Sequence, residues 1–209
     1  MVSAGEAVDR VQQHFNFIDA AREAGIQHVV YTSFFGAAAD SVFTLGRDHW
    51  ATEQHLRQSG MDFTILRDNF YIDILPQLAG NDGVIRGPAG NGGVSAVARD
   101  DVARSAVVVL RNPAAHIGRT YDLTGPEVLT LAEAAAVIST ATGRSVRYQP
   151  ETSDEAYASR AHFGAPRWQL DAWVSTYSAI ATGNLSGTTT AVHDLTGRPP
   201  LSLADFLKN

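Results

Sequence analysis

Two side chains one helical turn apart, His49 and Glu53, could carry proton chemistry in this sequence. At this spacing they share one face of a predicted helix. An imidazole held by a carboxylate can act as a general acid. The same pair could ligate a metal, but such a site needs a third ligand and none is close in sequence. A plain hydrogen bond on the helix surface is the third reading. Two other segments combine polar and aromatic groups: Thr32-Ser33-Phe34-Phe35 and Arg67-Asp68-Asn69-Phe70-Tyr71. Each follows a short β-rich run. Ligands in open α/β sheets bind outside the carboxyl ends of the strands, so both segments are expected to line one crevice. Hydroxyls, an amide and aromatic faces suit a planar ligand there. Ordinary strand-end turn chemistry is the competing reading. Arg99 precedes Asp100 and Asp101. If those acids cap a helix, Arg99 is free to reach a phosphate or a carboxylate.

One glycine spacing invites a different reading. Gly87, Gly90 and Gly93 match G-x-x-G-x-x-G. A phosphate-cradling loop needs a buried strand before it and a helix N-terminus after it. Here Val84-Ile85-Arg86 is very short and Val94-Ser95-Ala96-Val97 looks extended, so a hairpin turn is expected instead.

Composition removes whole classes of function. The 209 residues include no Cys, which excludes disulfides, thiolate nucleophiles and Cys-bound metals. Lys208 is the only lysine, so the body of the chain has no Walker lysine, no Schiff-base lysine and no Tyr-x-x-x-Lys pair. A net charge of −6 argues against nucleic acid and against an anionic membrane surface as partners. No apolar run is long enough to span a membrane, and residues 1–10 lack the core of a signal peptide. Asn184-Leu185-Ser186 fits a glycosylation acceptor, but nothing suggests secretion. The expectation is a cytoplasmic protein.

The elements that would position these groups follow from periodicity. Val8 to Ala24 reads as a helix closed by Gly25, and His28 to Ser33 as a buried parallel strand. Asp48 to Ser59 reads as a second helix closed by Gly60, and Phe63 to Leu66 as a second buried strand. Helix, glycine and strand therefore recur in order, which predicts an α/β protein with a parallel sheet flanked by helices. Beyond Leu66, a helix is expected over Phe70–Ala79 and a glycine-rich hairpin over Gly83–Gly93. A helix over Asp100–Leu110 and a strand at Thr120–Leu123 come next. Thr130 to Thr142 reads as a helix with Glu133 at the capping-box position. Val146–Tyr148 reads as a short strand, and Ser153–Asn209 as mostly helical. The division expected is a sheet-containing part over 1–124 and a small, mainly helical lobe over 125–209, with crossover segments between them.

Several of these residues resemble a known family. Val29-Val30-Tyr31-Thr32-Ser33, His49-x-x-Thr52-Glu53 and Phe63 to Tyr71 look like the NmrA-like atypical short-chain dehydrogenases/reductases. So do Arg99-Asp100-Asp101-Val102-Ala103 and Tyr121-Asp122-Leu123-Thr124-Gly125. Within that family the bacterial NAD(P)H:quinone oxidoreductases are most similar. The likeness runs from about Val2 to Leu207 and rests on the order and spacing of its motifs. It implies a partial Rossmann-like sheet with a substrate lobe, NADP(H) or NAD(H) as cofactor, and a small planar acceptor such as a quinone.

By the same resemblance, Gly5, Glu6, Thr32, Ser33, Asp68, Asn69, Phe70, Tyr71, Ile72, Asp73 and Arg99 contact the cofactor's reactive end. Phe34, Phe35, Phe70 and Tyr71 sandwich the acceptor, and His49 supplies a proton. His49 and Glu53 stand where the family's Tyr and Lys are usual, so the standard donor pair is absent. The family's phosphate loop follows its first strand, and Met1-Val2-Ser3 resembles the end of its fourth. The glycine-rich opening segment is therefore expected to be missing, with little NADPH affinity in this chain alone and the edge of the Val29–Ser33 strand uncovered. A fragment, pairing with a second copy as a homodimer, and a degenerate binder are the three readings of that edge. The rival function is a non-catalytic NADP(H)-sensing regulator that binds a protein partner.

Overall fold

The computed structural model describes residues 1–208; Asn209, the end of the stretch expected to be helical, lies outside the described residues. Two helix–strand units open the chain. They are α1 (Arg10–Glu23) with β1 (His28–Phe34), and α2 (Thr44–Gln58) with β2 (Asp62–Asp68). Gly25 and Gly60 stop their helices at φ +74° and +81°, a backbone region that side-chain-bearing residues avoid.

β1 and β2 are parallel, in register from His28 opposite Asp62 to Phe34 opposite Asp68. Side chains alternate across this sheet. Val29 and Tyr31 join Ile18 and Leu56 on one face, while Val30 and Leu66 face the opposite side. With both faces covered, the strands read as continuous apolar runs. Along the outer edge of β1, the Met1 amino group donates to the Val30 carbonyl at 2.6 Å and Thr32 N–H donates to the Met1 carbonyl at 3.1 Å, so Met1 pairs with part of that edge. Val2 beside it is 81% exposed.

The chain then departs from the expected pattern. Phe70–Ala79 is not an α-helix. The Phe70 carbonyl accepts from Val97 N–H and Ile72 N–H donates to the Val97 carbonyl, so the backbone at its start is already bonded across. Only Leu75–Leu78 coils, as a 3-10 turn with Pro76 in its first positions. Proline tolerates that place and disrupts a longer helix.

The expected hairpin over Gly83–Gly93 is also absent as such. β3 (Val84–Gly87) and β4 (Gly93–Val94) do not pair with each other. After them come α3 (Arg99–Arg111), β5 (Arg119–Leu123), β6 (Leu129–Thr130), α4 (Leu131–Thr142) and β7 (Arg147–Pro150). β3 runs parallel to β7, and β4 antiparallel to β6. β5 adds to the main sheet beside β2, giving the order β1-β2-β5, all parallel.

Thr130 and Glu133 form the expected capping box at the start of α4, with Thr130 N–H donating to Glu133 Oε2 at 2.8 Å. The chain ends with α5 (Ser153–Arg160), α6 (Arg167–Ala181), α7 (Ala191–Thr196) and α8 (Leu203–Phe206). A second core joins Leu75, Ile85, Leu131, Ile138, Ile180 and Leu203, drawn from both sides of α3 in sequence. Val192 of α7 returns to the first core, beside Val102 and Leu123. Among the described residues no helix is long and apolar enough to cross a membrane.

Candidate active site

A cavity of about 720 Å³ opens where β1 and β2 end, between the sheet and α6. The parallel register puts both strand ends on one side of the molecule, and Phe35 N–H bonds back to the Asp68 carbonyl at 2.9 Å. Ser33, Phe34, His49, Asp68, Phe70 and Tyr71 line it from the sheet side. The opposite wall is built by Ile74 after β2, Arg86 of β3, Arg160 of α5, and Trp173 and Tyr177 of α6, among others. The walls are mainly apolar and aromatic.

The structure separates His49 from Glu53. Glu53 is fully buried and accepts from Ser33 Oγ at 2.6 Å and from Arg67 Nε and Nη2 at 2.8 and 2.7 Å. Its hydrogen bonds go to β1 and β2, with Arg57 of its own helix farther off, Nη2 3.9 Å from Oε2. His49 Nε2 lies 3.0 Å from Arg10 Nη2 and Nδ1 lies 2.9 Å from Tyr31 Oη. A guanidinium only donates, so Nε2 accepts and Nδ1 carries the hydrogen toward Tyr31. Burial, then the charges of Arg10 and His14, hold the ring's pKa well below its ordinary value. His49 is therefore neutral, with both nitrogens engaged. The surface hydrogen bond to Glu53 and the shared metal site are both absent. Among the described residues no three His, Asp or Glu side chains converge on a common point.

Asp68, 3% exposed, closes β2. Its Oδ2 accepts the Tyr71 hydroxyl in a short hydrogen bond, and no donor among the described residues reaches Oδ1. Burial raises its pKa to about 7, against the lowering effect of Tyr71. Burial and then the neighbouring Asp68 raise the pKa of Tyr71 as well. The Arg99 guanidinium lies over the Tyr71 ring at 4.9 Å.

Apart from Glu6, the other residues singled out in the sequence sit around this cavity without lining it. Asn69 is fully buried and braces the turn, its Nδ2 donating to the Leu185 carbonyl and its Oδ1 accepting Phe70 N–H. Asp73 accepts Arg99 N–H at the start of α3. Ile72 belongs to the second core, and Phe35 packs against Gly187. Thr32 lies on the outer edge of β1, where its Oγ1 accepts Ser3 N–H. Gly5 has open space around it. Glu6 reaches the cavity rim and accepts from Trp173 Nε1 and Gln169 Nε2 of α6.

Sequence reasoning missed the wall opposite the sheet and the layer below. Tyr31 reads as a strand residue, yet its hydroxyl belongs to the Arg10–His49 network. His14 is held there too, 2.7 Å from Thr52 Oγ1. Trp173 and Tyr177, four apart on α6, carry the one signal that could have been used. The three spaced glycines do not cradle a phosphate. Gly87 is bare because the Tyr177 ring lies against it, and β4, not a helix, begins at Gly93.

Residues 1–160 match the NmrA-like family model. The chain belongs to the NmrA-like family. An NAD(P)H azoreductase of Xenophilus azovorans is 35% identical over 96% of this chain and 71% of its own length. An NADPH-dependent quinone oxidoreductase of Escherichia coli, solved with NADPH, superposes with a TM-score of 0.88 at 31% identity. That match covers 99% of this chain and 73% of the other. A triphenylmethane reductase of Citrobacter, solved with NADP(H), gives 0.86 at 29% identity, over 100% and 74%. The parallel sheet with flanking helices is thus the Rossmann-like core of an NmrA-like protein.

Proposed function

We propose that this NmrA-like protein is an NAD(P)H-dependent oxidoreductase that reduces planar aromatic acceptors, quinones and related dyes, in the cavity at the ends of β1 and β2. The observation that carries the reading is the cavity itself. Parallel strands end at an apolar slot walled by Phe34, Phe70 and Tyr71 on one side and by Trp173 and Tyr177 on the other. Its relatives include an azoreductase, a quinone oxidoreductase and a triphenylmethane reductase, and azo compounds, quinones and triphenylmethane dyes are all conjugated π-systems.

The residues present fit a nicotinamide ring. Aromatic faces offer stacking, and Asp68 Oδ1 is a buried polar atom lacking a protein partner. When bound, the dinucleotide supplies a hydride. Ser33, Phe34, Asp68 and Tyr71 hold the ring at the strand ends, with Glu6 at the rim. Asn69 and Asp73 act one layer back by fixing Phe70 and the start of α3. His49 forms part of the wall and is no proton source, since both its nitrogens are taken. The apolar walls keep water away while two planar rings are aligned, and alignment is the main requirement of such a transfer.

Steady-state NADPH oxidation in the presence of a 1,4-naphthoquinone tests the reading. Thr176 lines the cavity from α6, and Thr176→Trp fills part of it. The expected result is quinone-dependent turnover whose KM for the quinone rises about ten-fold or more in the variant, a change of about 1.4 kcal/mol. Absence of quinone-dependent turnover at any NADPH concentration would contradict the reading.

A further inference from the structure

We propose that Arg10 and His14 of α1 are positioning residues for the cavity: between them they clamp the backbone of Ala4 and so hold Ser3 and Glu6 in its wall. The proposal rests on the reductase reading above and adds to it what fixes the rim of the site.

The segment before α1 has no helix or strand of its own, yet it supplies Ser3 and Glu6 to the cavity. Its start is tied to β1, where Met1 bonds to Val30 and Thr32, and Ser3 N–H donates to Thr32 Oγ1. Its end is tied by Arg10 N–H, which donates to the Ala7 carbonyl. Among the described residues, no hydrogen bond reaches the backbone of Gly5 or Glu6 in between. Gly5 also has open space around it and no side chain to restrict it. Ala4 is the fixed point. Its N–H donates to His14 Nε2 at 2.8 Å, and its carbonyl accepts from Arg10 Nε at 2.9 Å.

Arg10 and His14 lie one turn apart on α1 and share a face. They are 4% and 1% exposed, and each also bonds to α2. Arg10 reaches Asp48 and His49, and His14 Nδ1 lies 2.7 Å from Thr52 Oγ1. The Thr52 hydroxyl donates its hydrogen to the Asp48 carbonyl at 2.7 Å, so it accepts from His14. Nδ1 therefore carries the ring hydrogen, and Nε2 is left as the acceptor that Ala4 N–H requires. Packing α1 on α2 needs no polar side chain, and apolar pairs do it as well. What Arg10 and His14 supply is one donor and one acceptor, matched to the two polar groups of a single backbone residue. Two positions on, the Glu6 side chain reaches Trp173 and Gln169 of α6. A shift of Ala4 is carried directly to that contact.

The neutral form of His14 is the form that latches. The charged and titratable groups packed around it are Arg10 on α1, Asp48 and His49 on α2, and Tyr31 on β1. Asp48 is turned to Arg10. Glu53 and Asp68, beyond Tyr31, are turned to Arg67 and Tyr71. In the segment itself the Met1 amino group bonds to β1, Glu6 faces α6, and Asp9 accepts from Gln13. Burial first, and then the charge of Arg10, lower the His14 pKa to about 4, so the ring is neutral at pH 7. An added proton would sit on Nε2 and set two donors, the ring and Ala4 N–H, against each other. Acid therefore opens the latch.

Two variants test this at pH 7. His14→Leu removes the acceptor and keeps an apolar side chain between the helices. His14→Gln offers an amide oxygen to Ala4 N–H and an amide hydrogen to Thr52, and it cannot take up a proton. With saturating NADPH, the KM for a 1,4-naphthoquinone should rise about ten-fold in His14→Leu while kcat stays within about two-fold, and His14→Gln should stay within about three-fold in both. A role in folding alone would lower the active fraction, and so kcat, and leave KM unchanged. Without any ligand, the Ala4 amide should exchange with deuterium about ten-fold faster in His14→Leu than in the other two proteins. As pH falls below 6.5, the Ala4 amide resonance of the unsubstituted protein should shift together with the His14 ring resonances. In His14→Gln only the shift that Glu6 brings to both proteins should remain.

An unchanged KM in folded His14→Leu, an equal KM rise in His14→Gln, or an Ala4 amide indifferent to His14 would overturn the proposal. Should His14→Leu fail to fold, His14→Gln and the pH series on the unsubstituted protein decide it. Absence of quinone turnover by the unsubstituted protein would instead overturn the reductase reading, while the Ala4 measurements still decide whether the latch exists.

Discussion

The Trp173 indole N–H donates to the Glu6 carboxylate, at 3.1 Å to Oε2 and 3.2 Å to Oε1. The contact joins the segment before α1 to α6 and closes one side of the cavity rim. The bond lies at the surface, with Glu6 exposed and Trp173 half-buried, so it contributes little to folding. Trp173→Phe keeps a ring and removes the donor. The expected outcome is an unchanged melting temperature and a rise of about five-fold in KM for the acceptor, equivalent to about 1 kcal/mol. Steady-state kinetics beside thermal melts check this.

Gly87 allows the Tyr177 ring to lie against the backbone of β3. A methyl group there would overlap the ring, and Tyr177 lines the cavity. Gly87→Ala is expected to cost about 1–3 kcal/mol in urea unfolding and to raise the acceptor KM as Tyr177 shifts. A phosphate-loop glycine would behave differently, with NADPH binding changing in step with its adenylate half.

Glu53 is the buried anchor between α2, β1 and β2. Glu53→Gln leaves the Arg67 guanidinium without its carboxylate. Removing one partner of a buried pair costs about 3–5 kcal/mol, and Arg67 is 21% exposed, so the lower end is expected. Chemical denaturation should show this as a lower midpoint with an unchanged slope. An unchanged midpoint would show that the pair contributes nothing to stability.

Local signals were legible and long-range partners were not. Gly25 and Gly60 end their helices as their sequence places imply, because the constraint is local φ geometry. The β1 and β2 runs, and with them the shared crevice, were readable because a doubly covered strand is apolar throughout. Phe70–Ala79 misled because Ile72, Leu75 and Ala79 are apolar for the second core, while Val97 takes the backbone bonds that a helix would need. The spacing of His49 and Glu53 implied a pair that does not form: His49 lines the cavity, but its partners Arg10 and Tyr31 are 39 and 18 positions away. The Glu53 carboxylate found Arg67 on a neighbouring strand, a pairing that no helical periodicity encodes.

Acid stability should report the buried His14. Its pKa falls from 6.5 to about 4, through burial first and then the charge of Arg10. Between those values the unfolded chain binds the extra proton, so this stabilising contribution is complete above pH 6.5 and is lost as pH falls toward 4. His49 shifts in the same direction. Asp68 acts oppositely, because its folded pKa is raised and the fold gains from protonation as pH drops below about 7. Comparison with His14→Gln isolates the His14 contribution. Between those two pH values the unsubstituted protein should lose about 2–3 kcal/mol more than the variant, measured by urea unfolding at each pH. Parallel pH profiles would show that His14 is free to protonate in the fold.

On the proposed reading, hydride passes directly to a conjugated acceptor in the cavity lined by Trp173 and Tyr177. The most direct measurement uses NADPH carrying deuterium in the transferred position and a cationic triphenylmethane dye, followed by mass analysis of the reduced dye. The expected product is colourless, carries one deuterium on its central carbon, forms only in the presence of the protein and is suppressed by Thr176→Trp. Unlabelled product, or no reduction of the dye, would contradict it.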